Sequence, residues 1–136
     1  MAAFVIDASL AAAWCFPDER TDFTNGVLSA VSQSLAAVAP RLWAYEIRNC
    51  VLVGLRRNRI TRDDAQEFLD SIEALRIRLL DPPSHDVIFA LAERHRLTFY
   101  DAAYLELALR KGLPLASLDN ELCKAAVQSG VSLFKP

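Results

Sequence analysis

Short apolar runs alternate with helical stretches along the whole sequence, and this alternation limits the available folds more than any other feature. Ala3-Phe4-Val5-Ile6, ended by Asp7, reads as a buried strand. Ala37-Val38-Ala39-Pro40, Ile77-Arg78-Leu79-Leu80, Pro114-Leu115-Ala116-Ser117 and Val131-Ser132-Leu133-Phe134 read the same way. Strands separated by helices must pair in parallel, because the crossover brings the chain back to the same edge of the sheet. The expected architecture is a three-layer α/β/α sandwich around a parallel sheet of four or five short strands. In such sheets ligands sit at the carboxyl ends of the strands.

The helical stretches follow from their own signals. Ser9 to Phe16 is alanine-rich and is stopped by Pro17. Asp18 to Val38 reads as helix, with Val27, Leu28, Val31 and Leu35 on one face and its tail overlapping the second apolar run. Pro40 opens a helix from Arg41 to Arg57 at its first turn, with Leu42, Tyr45, Glu46, Asn49, Leu52 and Val53 on one side. Thr61-Arg62-Asp63-Asp64 and Thr98-Phe99-Tyr100-Asp101 are capping-box starts. The first precedes a stripe of Ala65, Phe68, Leu69, Ile72 and Leu75; the second opens a helix from Ala102 to Lys111 before Gly112. Ser84 caps a further helix, and Asn120 to Gln128 forms the last.

At 136 residues the chain is expected to be one domain, 1–136, since a domain takes ~100–200 residues. No apolar run approaches the ~20 residues of a membrane span, and the start Met1-Ala2-Ala3-Phe4-Val5-Ile6-Asp7 lacks the basic and long apolar regions of a signal peptide. Cys15, Cys50 and Cys123 are widely spaced and form no C-x-x-C, which fits reduced thiols in a cytoplasmic protein rather than a disulfide scaffold or a cysteine zinc site. His85 and His95 are isolated from the acidic motifs and read as surface or helix-end residues. Trp14-Cys15-Phe16 and Trp43 suit either the core or an apolar groove for a partner helix or a second copy of the chain.

A formal net charge of -2 argues against a general polyanion binder, but the charge is segregated. Arg41, Arg48, Arg56, Arg57, Arg59 and Arg62 share their segment with one acid, Glu46, whereas Asp63, Asp64, Glu67, Asp70 and Glu73 follow without a base. The arginine segment reads either as a solvated helix face or as a grip on phosphates, with Arg56, Arg57 and Arg59 the candidates.

Four other acids stand where a parallel sheet collects its functional groups. Asp7 closes the first strand, Asp119 follows the strand ending at Ser117, Asp101 opens a helix, and Glu46 lies early in the Pro40 helix. Singly, Asp7, Asp101 and Asp119 are also explained as helix caps. Together they would repel one another in a shared crevice, and Glu46 and Asp101 are set in apolar surroundings where an unpaired carboxylate is costly. A hard divalent cation such as Mg2+ or Mn2+, one ion or two, relieves both problems and keeps water for hydrolysis of a phosphodiester.

With these acids in their motifs, the sequence resembles the PIN-domain family, and within it the VapC-like toxins of type II toxin–antitoxin systems. The residues that carry the resemblance are Val5-Ile6-Asp7-Ala8-Ser9, Glu46-Ile47-Arg48-Asn49, Tyr100-Asp101-Ala102-Ala103-Tyr104-Leu105-Glu106-Leu107-Ala108 and Leu113-Pro114-Leu115-Ala116-Ser117-Leu118-Asp119. Ser117 stands where threonine is common, which keeps the hydroxyl. The resemblance implies a metal-dependent endoribonuclease, forming a homodimer and neutralised by a cognate antitoxin. It implies Asp7, Glu46, Asp101 and Asp119 as the catalytic acids. Asp7 and Asp101 would bind the metal directly, Glu46 and Asp119 directly or through water, and Ser9, Asn49 and Ser117 would hold the carboxylates in place.

Two other classes compete. A haloacid-dehalogenase-type phosphatase also begins with an aspartate after its first strand, but it needs a second two residues later, where this chain has Ser9. A non-catalytic PIN-like interaction module in an RNA-processing complex is the other alternative; four intact acids argue against it.

Overall fold

Four short parallel strands form the centre of the molecule: β1 (Ala3–Ile6), β2 (Ala36–Pro40), β3 (Arg78–Leu80) and β4 (Leu115–Ala116). Their order across the sheet is β3-β2-β1-β4. The computed structural model describes residues 3–33 and 36–136, so Met1, Ala2 and the helix-face position Leu35 lie outside the described residues. Seven helices flank the sheet among the described residues: α1 (Ala8–Ala13), α2 (Asp22–Ser32), α3 (Leu42–Arg56), α4 (Arg62–Ala74), α5 (His85–His95), α6 (Phe99–Lys111) and α7 (Asn120–Gln128). None of these is long and apolar enough to cross a membrane.

Successive strand residues point to opposite faces, and Phe4, Val5 and Ile6 are all fully buried. Both faces of β1 are therefore covered, as the three-layer expectation requires. Val5 pairs with Val38 on one side and Leu115 on the other, making β1 the central rail of the sheet. The chain moves outward from β1 to β2 and β3, then returns across β1 to place β4 on its far side. The carboxyl end between β1 and β4 is thus the point where the strand order reverses, the position at which open α/β sheets bind ligands.

Several boundaries differ from the sequence expectation, each for a local reason. The helix expected over Asp18 to Val38 divides. Pro17–Glu19 is a single 3-10 turn, Thr21 caps α2 with a reciprocal box to Thr24, and the helix ends at Ser32. Alanine and valine at 36–39 are neutral enough in helix propensity for the ladder to β1 to decide their state. Pro40 ends β2 rather than starting α3, whose N-cap is Arg41. Thr61 and Thr98 each accept the expected backbone N–H, from Asp64 and Asp101, and α6 begins at Phe99, three residues earlier than expected.

The buried stripe of α3 is Trp43, Ile47, Val51 and Gly54, not the side carrying Leu42, Tyr45, Glu46, Asn49, Leu52 and Val53. The helix is apolar on both sides, so composition alone does not select the inward face. The last expected strand reduces to one bridge, Leu115 to Leu133, because β4 offers only two residues to pair. Phe134 instead stacks on Phe4, with ring centroids 3.9 Å apart. Trp14, Cys15, Phe16 and Trp43 are all buried, and Trp14 and Cys15 also line the groove described below.

Candidate active site

Asp7 is the anchor of the site. It follows β1 directly, and extended backbone at this position makes it the N-cap of α1, with its Oδ1 accepting from the Leu10 N–H at 3.0 Å. The Ser9 hydroxyl lies 2.9 Å from both carboxylate oxygens and shares its proton with them. The Ser117 hydroxyl donates to Oδ2 in a short bond. These two serines are also acceptors: Ser9 Oγ takes the Leu118 N–H at 3.3 Å, and Ser117 Oγ takes the Asp119 N–H at 2.9 Å. Each hydroxyl therefore ties the start of α1 to the β4–α7 turn through Asp7. Burial drives the Asp7 carboxyl up to about 6; the bonds from Ser117, Leu10 and Ser9 pull it back, and the charge of Asp101 adds to the rise.

Asp119 is the N-cap of α7, with Oδ1 accepting from the Leu122 N–H at 3.0 Å. Asp101 stands in the first turn of α6. Its carboxyl is raised by partial burial and then by the negative charge of Asp119, with the Thr98 hydroxyl opposing. Glu46 lies one turn into α3, half-buried, and its Oε1 accepts from the Tyr104 hydroxyl at 2.6 Å. It too is raised, first by burial and then by Asp101, with the Tyr104 bond opposing. Asp101 is thus the common electrostatic neighbour: it acts on Asp7 and Glu46, and Asp119 acts on it. The cap expectation is met at Asp7 and Asp119, whereas at α6 the cap is Thr98 and Asp101 stands three residues into the helix.

Tyr104 is a residue that the sequence reading passed over as a member of the site. It is nearly fully buried, and both burial and Glu46 push its phenol well above the usual range, so it stays a donor. Its signal was the three-residue spacing from Asp101 combined with the rule that a buried tyrosine hydroxyl needs a partner. Asn49, one turn beyond Glu46, is exposed and makes no side-chain hydrogen bond among the described residues.

The arginine segment does not form one free patch. Arg41 pairs with Asp81, Arg48 with Glu73, and Arg59 with both Asp18 and Glu19 while lying 4.1 Å over the Phe16 ring. Arg59 is thereby committed to the Pro17–Glu19 turn, whereas Arg56 and Arg57 are exposed and have no acidic partner among the described residues. A groove of about 800 Å³ between Trp14, Leu55, Ile60 and Phe68 holds none of the four site acids.

The donor set, carboxylate oxygens and neutral hydroxyls, suits a hard divalent cation. Among the described residues none of the four acids is paired with a lysine, arginine or histidine, although Asp18, Glu19, Glu73, Asp81 and Glu106 all are. Also among the described residues, no three acid, histidine or cysteine side chains are drawn tightly enough around one point to hold an ion as they stand. A bound ion would need the carboxylates of Asp101, Glu46 or Asp119 to draw closer to Asp7, which the serines keep in place.

Comparison with known proteins gives one consistent answer. The family model described as PIN domain matches residues 4–128. Ribonuclease VapC3 of Pyrobaculum aerophilum is 36% identical over 124 residues, covering 88% of this chain and 92% of that protein. Among solved structures, PAE2754 from Pyrobaculum aerophilum superposes with a TM-score of 0.74 at 24% identity, over 91% of this chain and 84% of that one. FitAcB from Neisseria gonorrhoeae gives a TM-score of 0.66 at 17% identity, over 98% and 97%. Mycobacterium tuberculosis VapC20, described as a sarcin-ricin loop cleaving toxin, gives 0.65 at 16% identity, over 98% and 99%. At these identities the solved structures speak for the fold alone.

Proposed function

The chain belongs to the PIN-domain family, and from that premise we propose that it is a Mg2+- or Mn2+-dependent endoribonuclease, the toxin of a type II toxin–antitoxin pair. The observation that carries this reading is the set of unpaired acids at the strand-order reversal: Asp7, Glu46, Asp101 and Asp119, three of them raised by burial and by one another. The 36% identity to a ribonuclease over most of both chains supports the reaction class.

Bound at this site, one or two divalent ions would supply an activated water and stabilise the charge that builds on the phosphoryl and leaving oxygens. The chain's own residues prepare the rest. Ser9, Ser117 and the Leu10 N–H fix the Asp7 carboxylate so that it needs no reorganisation when the substrate phosphate arrives. Tyr104 holds Glu46 by one oxygen and leaves the other to accept a proton from water. Asp7 and Asp101 are assigned as direct ligands, and Glu46 and Asp119 bind directly or through water. Ser9 and Ser117 act as holders of Asp7, and Asn49 is assigned to the same supporting role from the motif. Arg56 and Arg57, which have no acidic partner among the described residues, are assigned to RNA phosphates. An antitoxin partner, a homodimer and a cytoplasmic location complete the proposal; FitAcB and VapC20 share the fold.

The test is cleavage of total RNA by the purified chain with Mg2+ or Mn2+, against chelator and against Asp7→Asn and Asp101→Asn. Cleavage that needs the metal and drops by about 100-fold or more in each variant is expected, on the scale of losing a preorganised electrostatic group. RNA left equally intact by wild type and both variants across both metals would overturn the reading in favour of a non-catalytic module.

A further inference from the structure

We propose that a hollow at the amino edge of the sheet binds an acidic, aliphatic segment of a protein partner, through Arg76, Arg78 and Lys111 set around an apolar floor. The hollow has a volume of about 440 Å³ and is lined by the first residues of three strands: Ala3 of β1, Ala36 of β2 and Arg78 of β3. All these strands are parallel, so their first residues share one edge, whereas Asp7 and Asp119 follow strand ends at the other. The hollow is therefore separate from the acidic site, and what it binds does not depend on the ribonuclease reading.

The floor is aliphatic, with Val31 of α2, Leu80 of β3 and Leu113 ahead of β4 among its residues. The rim is basic. Arg76 follows α4, Arg78 opens β3 and Lys111 ends α6; all three are exposed, and among the described residues no acid lines the hollow. Nor does the fold use these charges. Among the described residues none of the three pairs with a carboxylate, and the acids close to them in the chain are committed elsewhere: Glu73 to Arg48, Asp81 to Arg41 and Glu106 to Arg110. Cations after a helix are ordinary, because the carboxyl end of a helix is negative, and this accounts for Arg76 and Lys111. It does not account for Arg78, which stands in an edge strand two residues before Leu80 and on the same face.

Rim and floor together select the occupant. The cations belong to three separate elements, so a ligand with one carboxylate leaves two of them unpaired. A chain segment in which acidic and aliphatic residues alternate can meet all three while its apolar side chains cover the floor. RNA matches the charge but not the floor, which offers no aromatic ring for a base to stack on. Arginine and lysine suit the task because their stems lie along apolar surface while their charged ends reach outward, and the guanidinium fork takes a carboxylate by two bonds. Each exposed pair is weak, so binding depends on several acting together and falls as salt is added.

The experiment follows fluorescence anisotropy of a short labelled peptide of alternating glutamate and leucine, at low salt and with salt added. Two further peptides replace its glutamates by lysine or its leucines by serine. Octanoate and a hydrolysis-resistant 2′-O-methyl RNA are added as competitors. Wild type should bind the glutamate–leucine peptide and neither of the others. Arg78→Gln and Lys111→Gln should each weaken binding by about threefold, in keeping with the loss of one exposed ion pair. The double variant Arg78→Glu/Lys111→Glu should lose the acidic peptide and gain the lysine–leucine one, an exchange that a merely structural role for the two cations does not produce. Both side chains are exposed, so melting temperatures should match wild type. Failure of wild type to bind the acidic peptide, or binding that survives the double reversal, would overturn the proposal. So would equal binding of the glutamate–serine peptide, which makes the floor irrelevant, or displacement by octanoate or RNA at concentrations below that of the peptide, which gives the hollow to a small anion or to RNA. Self-association that the double variant abolishes, without peptide binding, would give it to a second copy of the chain instead. No arm measures cleavage, so each result stands whether or not the chain is a nuclease.

Discussion

Asp7 serves two purposes with conflicting demands. As the cap of α1 it is held in place by Leu10, Ser9 and Ser117, and as the metal ligand of the proposed function it would have to be ionised although nearly fully buried. Three hydrogen bonds do not offset the lost hydration, so its carboxyl rises from 3.8 to about 6. The folded protein therefore binds a proton more tightly than the unfolded chain does. Its contribution to stability is fully present below about pH 4 and is lost as pH rises through about 6. The rises at Glu46 and Asp101 act in the same direction. With chelator present, the chain is expected to lose on the order of 3 kcal/mol from Asp7 alone across this window, measured by urea denaturation at several pH values. Asp7→Asn, which cannot ionise, should flatten that slope; an unchanged slope in the variant would falsify the assignment.

At the scale of elements, α3 shows what the alternation of apolar residues can and cannot reveal. Its existence and length are plain from sequence, but its inward face is not, since Leu42, Tyr45, Leu52 and Val53 compete with Trp43, Ile47 and Val51. The deciding residue is Gly54, where a Cβ would stand 2.6 Å from the Phe16 ring, so the Phe16 segment that follows α1 lies close on α3 because that position is bare. Gly54→Ala forces Phe16 out from beneath Arg59 or pushes the helices apart, at a cost of about 1–3 kcal/mol, read as a lower denaturation midpoint. Phe16→Leu in the same chain should recover part of it, and a Gly54→Ala protein as stable as wild type would remove the argument. The legible parts of the site have a similar limit. Asp7 and Asp119 stand out because a strand end followed by a helix start is a local pattern, visible as cap and as acid at once. Tyr104 did not stand out as Glu46's partner, because the two are 58 residues apart and only the fold brings the phenol to the carboxylate. The ion pairs of the arginine segment were hidden for the same reason: the acids that meet Arg41, Arg48 and Arg59 are Asp18, Glu19, Glu73 and Asp81, elsewhere in the chain.

For the whole molecule, the formal charge of -2 takes on a different meaning once its distribution is known. Five acids outside the site are paired with arginines, while the four site acids are paired with no base among the described residues. The site acids thus share their lack of a basic partner with other acids, such as Asp63, Asp64, Glu67 and Asp70 of α4, but they differ in being raised by burial and by neighbouring carboxylates at three of four positions. Under the proposed function a divalent ion neutralises the site acids and binds the folded state alone, since the acids are scattered through the unfolded chain. Ion binding must then stabilise the fold, by about 2.7 kcal/mol when the free ion is at 100 times its Kd. The same ion competes with the proton on Asp7, so the effect should depend on pH. At pH 7.5, Mn2+ should raise Tm clearly; at pH 5, where Asp7 is mostly protonated, the rise should be much smaller. Asp7→Asn and Asp101→Asn should show little rise at either pH. Differential scanning calorimetry with and without Mn2+ decides this without any assay of cleavage. An equal rise at both pH values, or one that survives both substitutions, would mean that the ion binds elsewhere and that the charge at the sheet edge has another role.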